Sequence, residues 1–203
     1  KKSFVYLILP FVVFRSLEQI RNNIIHNNLD VNIIGAGGGF SYNVQGISHN
    51  TSEDISVLRS LPNLSIHNPG SRLEAEFIFR QMFNGKKPSF ARLGKSPEID
   101  FYKKRIKNYN DLILTNGKTL TIFTTGNILE NAYKAVNKLT KKGYSIKLIS
   151  LPTLKPIDEK FIIKNIQSSK VLTIEENVNT GGLGSIICNT IFKYKKNDKI
   201  NFK

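Results

Sequence analysis

Few side chains in this sequence are of a type and in a setting to do chemistry. His49 is the first. It sits in a polar loop behind a short apolar run, Val31 to Ile34, and a glycine cluster, Gly35, Gly37, Gly38 and Gly39, with Ser48 beside it and Glu53-Asp54 close behind. An imidazole there hydrogen-bonds a substrate hydroxyl or phosphate, or moves a proton near neutral pH; the plain alternative is a loop histidine with only water partners. Arg92 ends another apolar run, where a guanidinium can fork onto a phosphate or carboxylate, or simply form a surface ion pair. Glu175-Glu176 stand at the end of a third run. They suit acid–base work, or acceptance of backbone N–H groups from the glycine loop that follows, and the second reading is favoured. That loop, Gly181-Gly182-Leu183-Gly184-Ser185, has no phosphate-loop lysine, so close packing explains it better than phosphate binding. Phe11 and Phe14 are core residues or an aromatic wall for a ring-shaped cofactor.

Other chemistries find no support in the sequence. The three histidines are isolated, the single cysteine, Cys188, has no CxxC partner, and there is no GxSxG elbow. The glycine spacing after Ile34 is not the dinucleotide fingerprint. Net charge is +15, from 30 Lys+Arg against 15 Asp+Glu, but the lysines are scattered rather than gathered with aromatics into a stripe. That pattern argues against specific nucleic-acid binding and suits a phosphorylated small substrate. No apolar run approaches the ~20 residues that span a bilayer, and mean hydropathy is −0.22. The opening KKSFVYLILP has some look of a signal sequence, but Pro10 and the polar helical pattern after it argue for a buried strand. One cysteine and no internal disulfide imply a reducing, cytoplasmic setting.

The elements that must position these residues alternate. Phe4 to Leu9 reads as a buried strand, and Pro10 opens a helix running to Asn27-Asn28 on the stripe Phe14, Leu17, Ile20, Ile24. Val31 to Ile34 is the second strand. Thr51 and Asp54 have capping-box spacing for a short helix that stops before Pro62. Leu64 to Ile66, a helix capped by Ser71 with Glu74, and Pro88 to Leu93 complete the first unit. A charged segment, 96–112, reads as a linker. A second unit follows: Leu120 to Phe123, a helix with Ile128, Ala132, Ala135 and Leu139 inward, Ser145 to Leu151, a short helix opened by Pro156 and Asp158, Val171 to Ile174, and a last helix before a lysine-rich tail. The expected fold class is α/β: two consecutive, mostly parallel-sheet, three-layer domains, 1–95 and 113–203, with right-handed crossovers.

In combination, FVVFRSLEQIRN, GAGGGFSYNVQGISHNTSEDISVLRSLPN, ARLGK, TIFTTGNI and VLTIEENVNTGGLGS, in that order, resemble the C-terminal section of transketolases, nearest to the split bacterial type. The resemblance implies a partial pyrimidine-binding domain followed by a transketolase C-terminal domain. It further implies a thiamine diphosphate and Mg²⁺ site at a dimer interface, and phosphorylated sugars as substrates. Carried over by motif, His49 and Ser48 contact the sugar, Arg92 its phosphate, and Phe11, Phe14 and Arg15 the cofactor's ring side.

The departures also carry meaning. The family's cofactor-activating glutamate belongs to a segment ahead of Lys1, and Glu18 is not that residue. A diphosphate- and metal-holding domain with G-D-G is absent, and the second domain is expected to stop before its usual last strand and helix. The resemblance therefore implies a subunit or fragment, inactive alone, whose partner is an N-terminal diphosphate-binding subunit or domain. Alternatives are a deoxyxylulose-phosphate synthase-like or 2-oxo acid dehydrogenase beta-like subunit, or a non-catalytic remnant serving as an interaction module.

Overall fold

A computed structural model describes residues 1–94, 101–194 and, by backbone alone, 201–202. The chain begins with β1 (Ser3–Ile8), α1 (Leu9–Val13) with its proline in the first turn, and α2 (Leu17–Gln19), which continues as a wider π turn over Ile20–Ile25. Then come β2 (Val31–Ala36), α3 (Asp54–Arg59), β3 (Ser65–His67), α4 (Arg72–Asn84) and β4 (Ser89–Leu93). The second half contains β5 (Ile113–Thr115), β6 (Leu120–Thr124), α5 (Leu129–Thr140), β7 (Ile146–Ser150), β8 (Thr153–Lys155), α6 (Glu159–Asn165), β9 (Lys170–Ile174), α7 (Leu183–Tyr194) and β10 (Asn201–Phe202).

Among the described residues, two five-stranded sheets result, in the orders β1-β2-β4-β3-β8 and β10-β9-β6-β7-β5. Pairing is parallel except that β8 runs against β3 and β5 against β7. The expected α/β class holds, but β8 comes from the second half of the chain and completes the first sheet. One apolar cluster spans both sheets, with Phe90, Ile66 and Leu58 from the first half meeting Phe123, Leu151 and Phe161 from the second.

Several sequence expectations are corrected. The β1 strand is exposed throughout rather than buried: Tyr6 is 67% and Leu7 50% accessible. An apolar run predicts burial only if a neighbour covers it, and β1 is the sheet's edge, paired on one side with β2. The first helix is not continuous to residue 28, because a turn at Phe14–Ser16 breaks it. Phe14 then faces outward while Leu9, Val12 and Val13 are buried. On α5 the buried stripe is Leu129, Ala132 and Val136, and Ala135 is exposed. Thr51 does not cap α3, whose N-terminus carries no side-chain cap. Ser71 does cap α4, accepting from Glu74 N at 3.2 Å, and Asp158 caps α6, accepting from Phe161 N at 2.9 Å. The tail includes a strand, β10, parallel to β9.

The first part of the expected linker, 96–100, lies outside the described residues. The rest packs onto α4: Ile106 is fully buried, its carbonyl accepts from Arg80 Nη2 at 2.9 Å, and the Tyr102 hydroxyl donates to the buried Glu74 carboxylate.

Candidate functional site

The His49 loop leaves the carboxyl end of β2, where ligands of parallel sheets collect. Its start is tied to the neighbouring strand: Gly37 N and Gly38 N both donate to Leu93 O, at 2.7 and 3.1 Å. Its base is closed by a two-way bridge in which Gly39 N donates to Thr51 O and Thr51 N to Gly39 O, both at 3.1 Å. Between these points runs a short 3-10 turn, Asn43–Gln45, and His49 N donates to Gly46 O at 3.1 Å. Residues 40–50 therefore project as one closed loop.

His49 is half-buried in an aromatic corner. The Phe11 ring meets it edge-on at 5.2 Å between centroids, and the Tyr42 ring meets it at 6.4 Å and 88°. Ser48 Oγ lies 3.0 Å from His49 Nδ1. A hydroxyl can donate to Nδ1 or accept from it, so it occupies that nitrogen in either tautomer and leaves Nε2 as the nitrogen for a ligand. Arg15 lies over the Phe11 ring, its Cζ 4.3 Å from the centroid. Phe14 is 41% exposed nearby in sequence. The sequence-derived set Phe11, Arg15, Ser48 and His49 is thus brought into one chain of contacts. Phe14 has no described ring contact to that group.

The sequence leaves Arg92 either forking onto a phosphate or carboxylate or forming a surface ion pair; at 2% exposed, it is not a surface pair. Its Nη2 donates to Thr51 O at 2.9 Å and to Glu176 O at 2.8 Å, and its Nε stands 3.6 Å from Asp54 Oδ2. Among the described residues its Nη1 has no hydrogen-bond partner, nor do the two carboxylate oxygens of fully buried Asp54. Burial pushes the Asp54 pKa up, and the Arg92 charge pulls it partly back. Gly38 permits this arrangement, because a Cβ there would collide with the Arg92 side chain. Gly39, with φ +64°, is needed on two counts: the left-handed backbone, and a Cβ position only 2.8 Å from Glu176 Oε2.

The paired glutamates divide their work. The Glu175 carboxylate accepts from Leu183 N at 2.7 Å and Gly184 N at 2.8 Å, capping α7. Glu176 offers its carbonyl to Arg92. Burial raises the pKa of both carboxyls. No group of three or more His, Cys, Asp or Glu side chains able to hold a metal ion occurs among the described residues. The aromatic corner suits the ring side of a cofactor, and the donor set does not suit its metal. Two participants escaped the sequence reading. Tyr42 lies in an irregular loop without periodicity, and its one trace is Gly37, where a Cβ would strike the Tyr42 ring. Asp54 has the spacing of a helix cap, which hides its place beside Arg92.

Residues 2–97 match the family model for the transketolase pyrimidine binding domain, and residues 111–201 that for the transketolase C-terminal domain. The chain is 30% identical over 197 residues to an apulose-4-phosphate transketolase subunit of Phocaeicola vulgatus, covering 94% of this chain and 62% of that protein. It is 29% identical over 194 residues to a putative transketolase C-terminal section of Methanocaldococcus jannaschii, covering 94% of this chain and 61% of that one. A solved structure described as a split gene transketolase, inactive beta4 tetramer, superposes with a TM-score of 0.82 at 26% identity, covering 95% of this chain and 63% of that chain. The chain thus spans about three-fifths of the length of these relatives. No described helix is long and apolar enough to cross a membrane.

Proposed function

Because the chain belongs to the transketolase family on both of its domains, we propose that it is the pyrimidine-binding and C-terminal part of a thiamine diphosphate-dependent transferase that moves a two-carbon ketol unit between sugar phosphates. The observation that carries this reading is the His49 corner: an imidazole held by Ser48, Phe11 and Tyr42 on a closed loop at the carboxyl end of β2. Bound thiamine diphosphate supplies the nucleophilic carbon for breaking and remaking a C–C bond. Phe11 and Arg15 would form the wall for its ring, with Phe14 exposed in the turn that breaks the first helix. Arg15 lies over the Phe11 ring, so the two side chains would present one face to the cofactor's ring side.

His49 binds and orients a sugar hydroxyl through Nε2 and moves a proton at that atom, while the Ser48 hydroxyl keeps Nδ1 occupied. The two rings flanking His49 exclude water from one side of the imidazole. The phosphate role that the resemblance gives Arg92 finds no support in its placement, because Nη1 is buried with the rest of a side chain that is 2% exposed. The diphosphate and Mg²⁺ are held by a separate N-terminal subunit or domain, so the isolated chain is inactive, and its place of work is the cytoplasm.

Calorimetry and a coupled assay test this reading. The chain alone is expected to give no heat with thiamine diphosphate and Mg²⁺. Mixed with a diphosphate-binding partner that carries G-D-G, it is expected to use ribose 5-phosphate as acceptor. Tight cofactor binding by the chain alone, or pyruvate consumption by the mixture without transfer to ribose 5-phosphate, would count against it.

A further inference from the structure

We propose that the 175–182 loop of the second domain is a positioning element for the His49 loop, and that Arg92 is the joint through which it acts. The consequence for catalysis rests on the role proposed for His49; the coupling itself does not. Among the described residues, the ring contacts around His49 come from the first domain. The second domain nevertheless touches the base of the His49 loop at a point where the joining side chain is buried.

One nitrogen makes the joint. Arg92 Nη2 donates to Thr51 O, in the first domain, and to Glu176 O, in the second. Thr51 is also the residue whose backbone closes the loop against Gly39. If Glu176 withdraws, a guanidinium proton on a side chain only 2% exposed loses its acceptor, with little solvent to replace it. Asp54 fixes the charge from behind, with its carboxylate 3.6 Å from Arg92 Nε. A buried cation and a buried anion at this spacing hold one another in place, because removing either leaves the other uncompensated.

The contact does not depend on Arg92 alone. Val178 N donates to Ser52 O at 2.8 Å, and Ser56 Oγ donates to Thr180 O at 2.6 Å. Arg59 reaches the carbonyls of Gly181 and Gly182. These contacts run along the residues shortly after His49, from Ser52 to Arg59. The 175–182 loop is stiff enough to serve as a reference, since Glu175 ties it to the first turn of α7 and Gly181 N donates to Ser185 Oγ at 2.9 Å. The path therefore runs from α7 through Glu175 to the loop, then through Arg92 and Ser56 to Thr51, and so to His49. The rival description is of two loops that touch but order themselves independently.

Hydrogen–deuterium exchange on the full chain separates the two, and it needs no cofactor, substrate or partner, so its failure is distinct from failure of the transferase reading. Glu175→Gln weakens the anchor on α7, and Ser56→Ala removes one interdomain hydroxyl. Both changes lie outside the aromatic corner. Coupling requires that exchange at the Gly39, His49 and Thr51 amides rise about fivefold in each variant, with amides of β6 and β7 unchanged. A rise confined to residues 176–186 overturns the proposal, as does a uniform rise across the whole chain in both variants. Asp54→Glu gives a third check: keeping the charge should leave the three loop amides closer to native protection than Asp54→Asn does, and equal protection in the two would also overturn it.

Discussion

His67 makes the junction between the two halves sensitive to acid. It is the last residue of β3, 3% exposed, and its Nδ1 lies 3.1 Å from Thr153 Oγ1 on β8. Burial lowers its pKa from 6.5 to about 4. In the unfolded chain the same imidazole takes up a proton near pH 6.5. Between these values the unfolded state binds more protons than the folded state, so stability rises with pH and is lost as pH falls from about 6.5 toward 4. At 1.36 kcal/mol per unit, the full gap of roughly 2.5 units is about 3 kcal/mol, an upper value. Buried carboxyls with raised pKa values, Asp54, Glu74 and Glu175 among them, slope the other way, so the native curve alone does not isolate the histidine. The comparison that does is urea denaturation of the native chain and His67→Gln at about pH 7.5, 6.0, 5.0 and 4.5. The native chain should lose about 2 kcal/mol more than the variant between roughly pH 7.5 and 5.0, a difference set by the roughly 1.5 units below the unfolded value. Identical pH slopes in the two proteins would refute the reasoning.

Other outcomes follow from the site. In a reconstituted enzyme, His49→Ala should lower kcat/KM at least about a hundredfold, read in the ribose 5-phosphate assay, with little change in urea midpoint. Glu175→Ala frees two backbone donors at the start of α7 and should cost about 2 kcal/mol in urea denaturation, with helix loss read by circular dichroism. Gly39→Ala places a side chain at φ +64° against Glu176 and should cost roughly 1–3 kcal/mol, read the same way. Phe11→Ala should weaken cofactor binding by the reconstituted enzyme about tenfold or more in calorimetry, and unchanged affinity would remove Phe11 from the cofactor wall.

What was legible in the sequence is what local pattern encodes. Short apolar runs marked β2, β4, β6, β7 and β9, and Ser71 and Asp158 marked helix starts, because cap chemistry is settled within a few residues. His49 stood out because a strand, a glycine cluster and a polar loop are contiguous. What failed depended on distant partners. The exposure of β1 follows from its rank in the sheet, which no run of residues states. Thr51 lost its expected cap because its backbone bonds to Gly39, which draws it away from α3. Arg92 turns inward because a carbonyl 84 residues further along the chain accepts from it. A break at Phe14–Ser16 left Phe14 outside a stripe it fits by spacing alone.

The three residues of β8 make the two halves poor candidates for separate existence. A cut between residues 95 and 112 looks clean on paper, yet the first sheet would then lose its outer antiparallel strand, and Ile66 and His67 would face water along their backbone. The upstream piece would have β3 as its second edge in place of β8, and the downstream piece would carry an orphan ribbon. As a unit of inheritance the chain can be divided there; as a unit of folding it cannot, and swapping either half between relatives should succeed only when the Thr153–Lys155 ribbon travels with the first half.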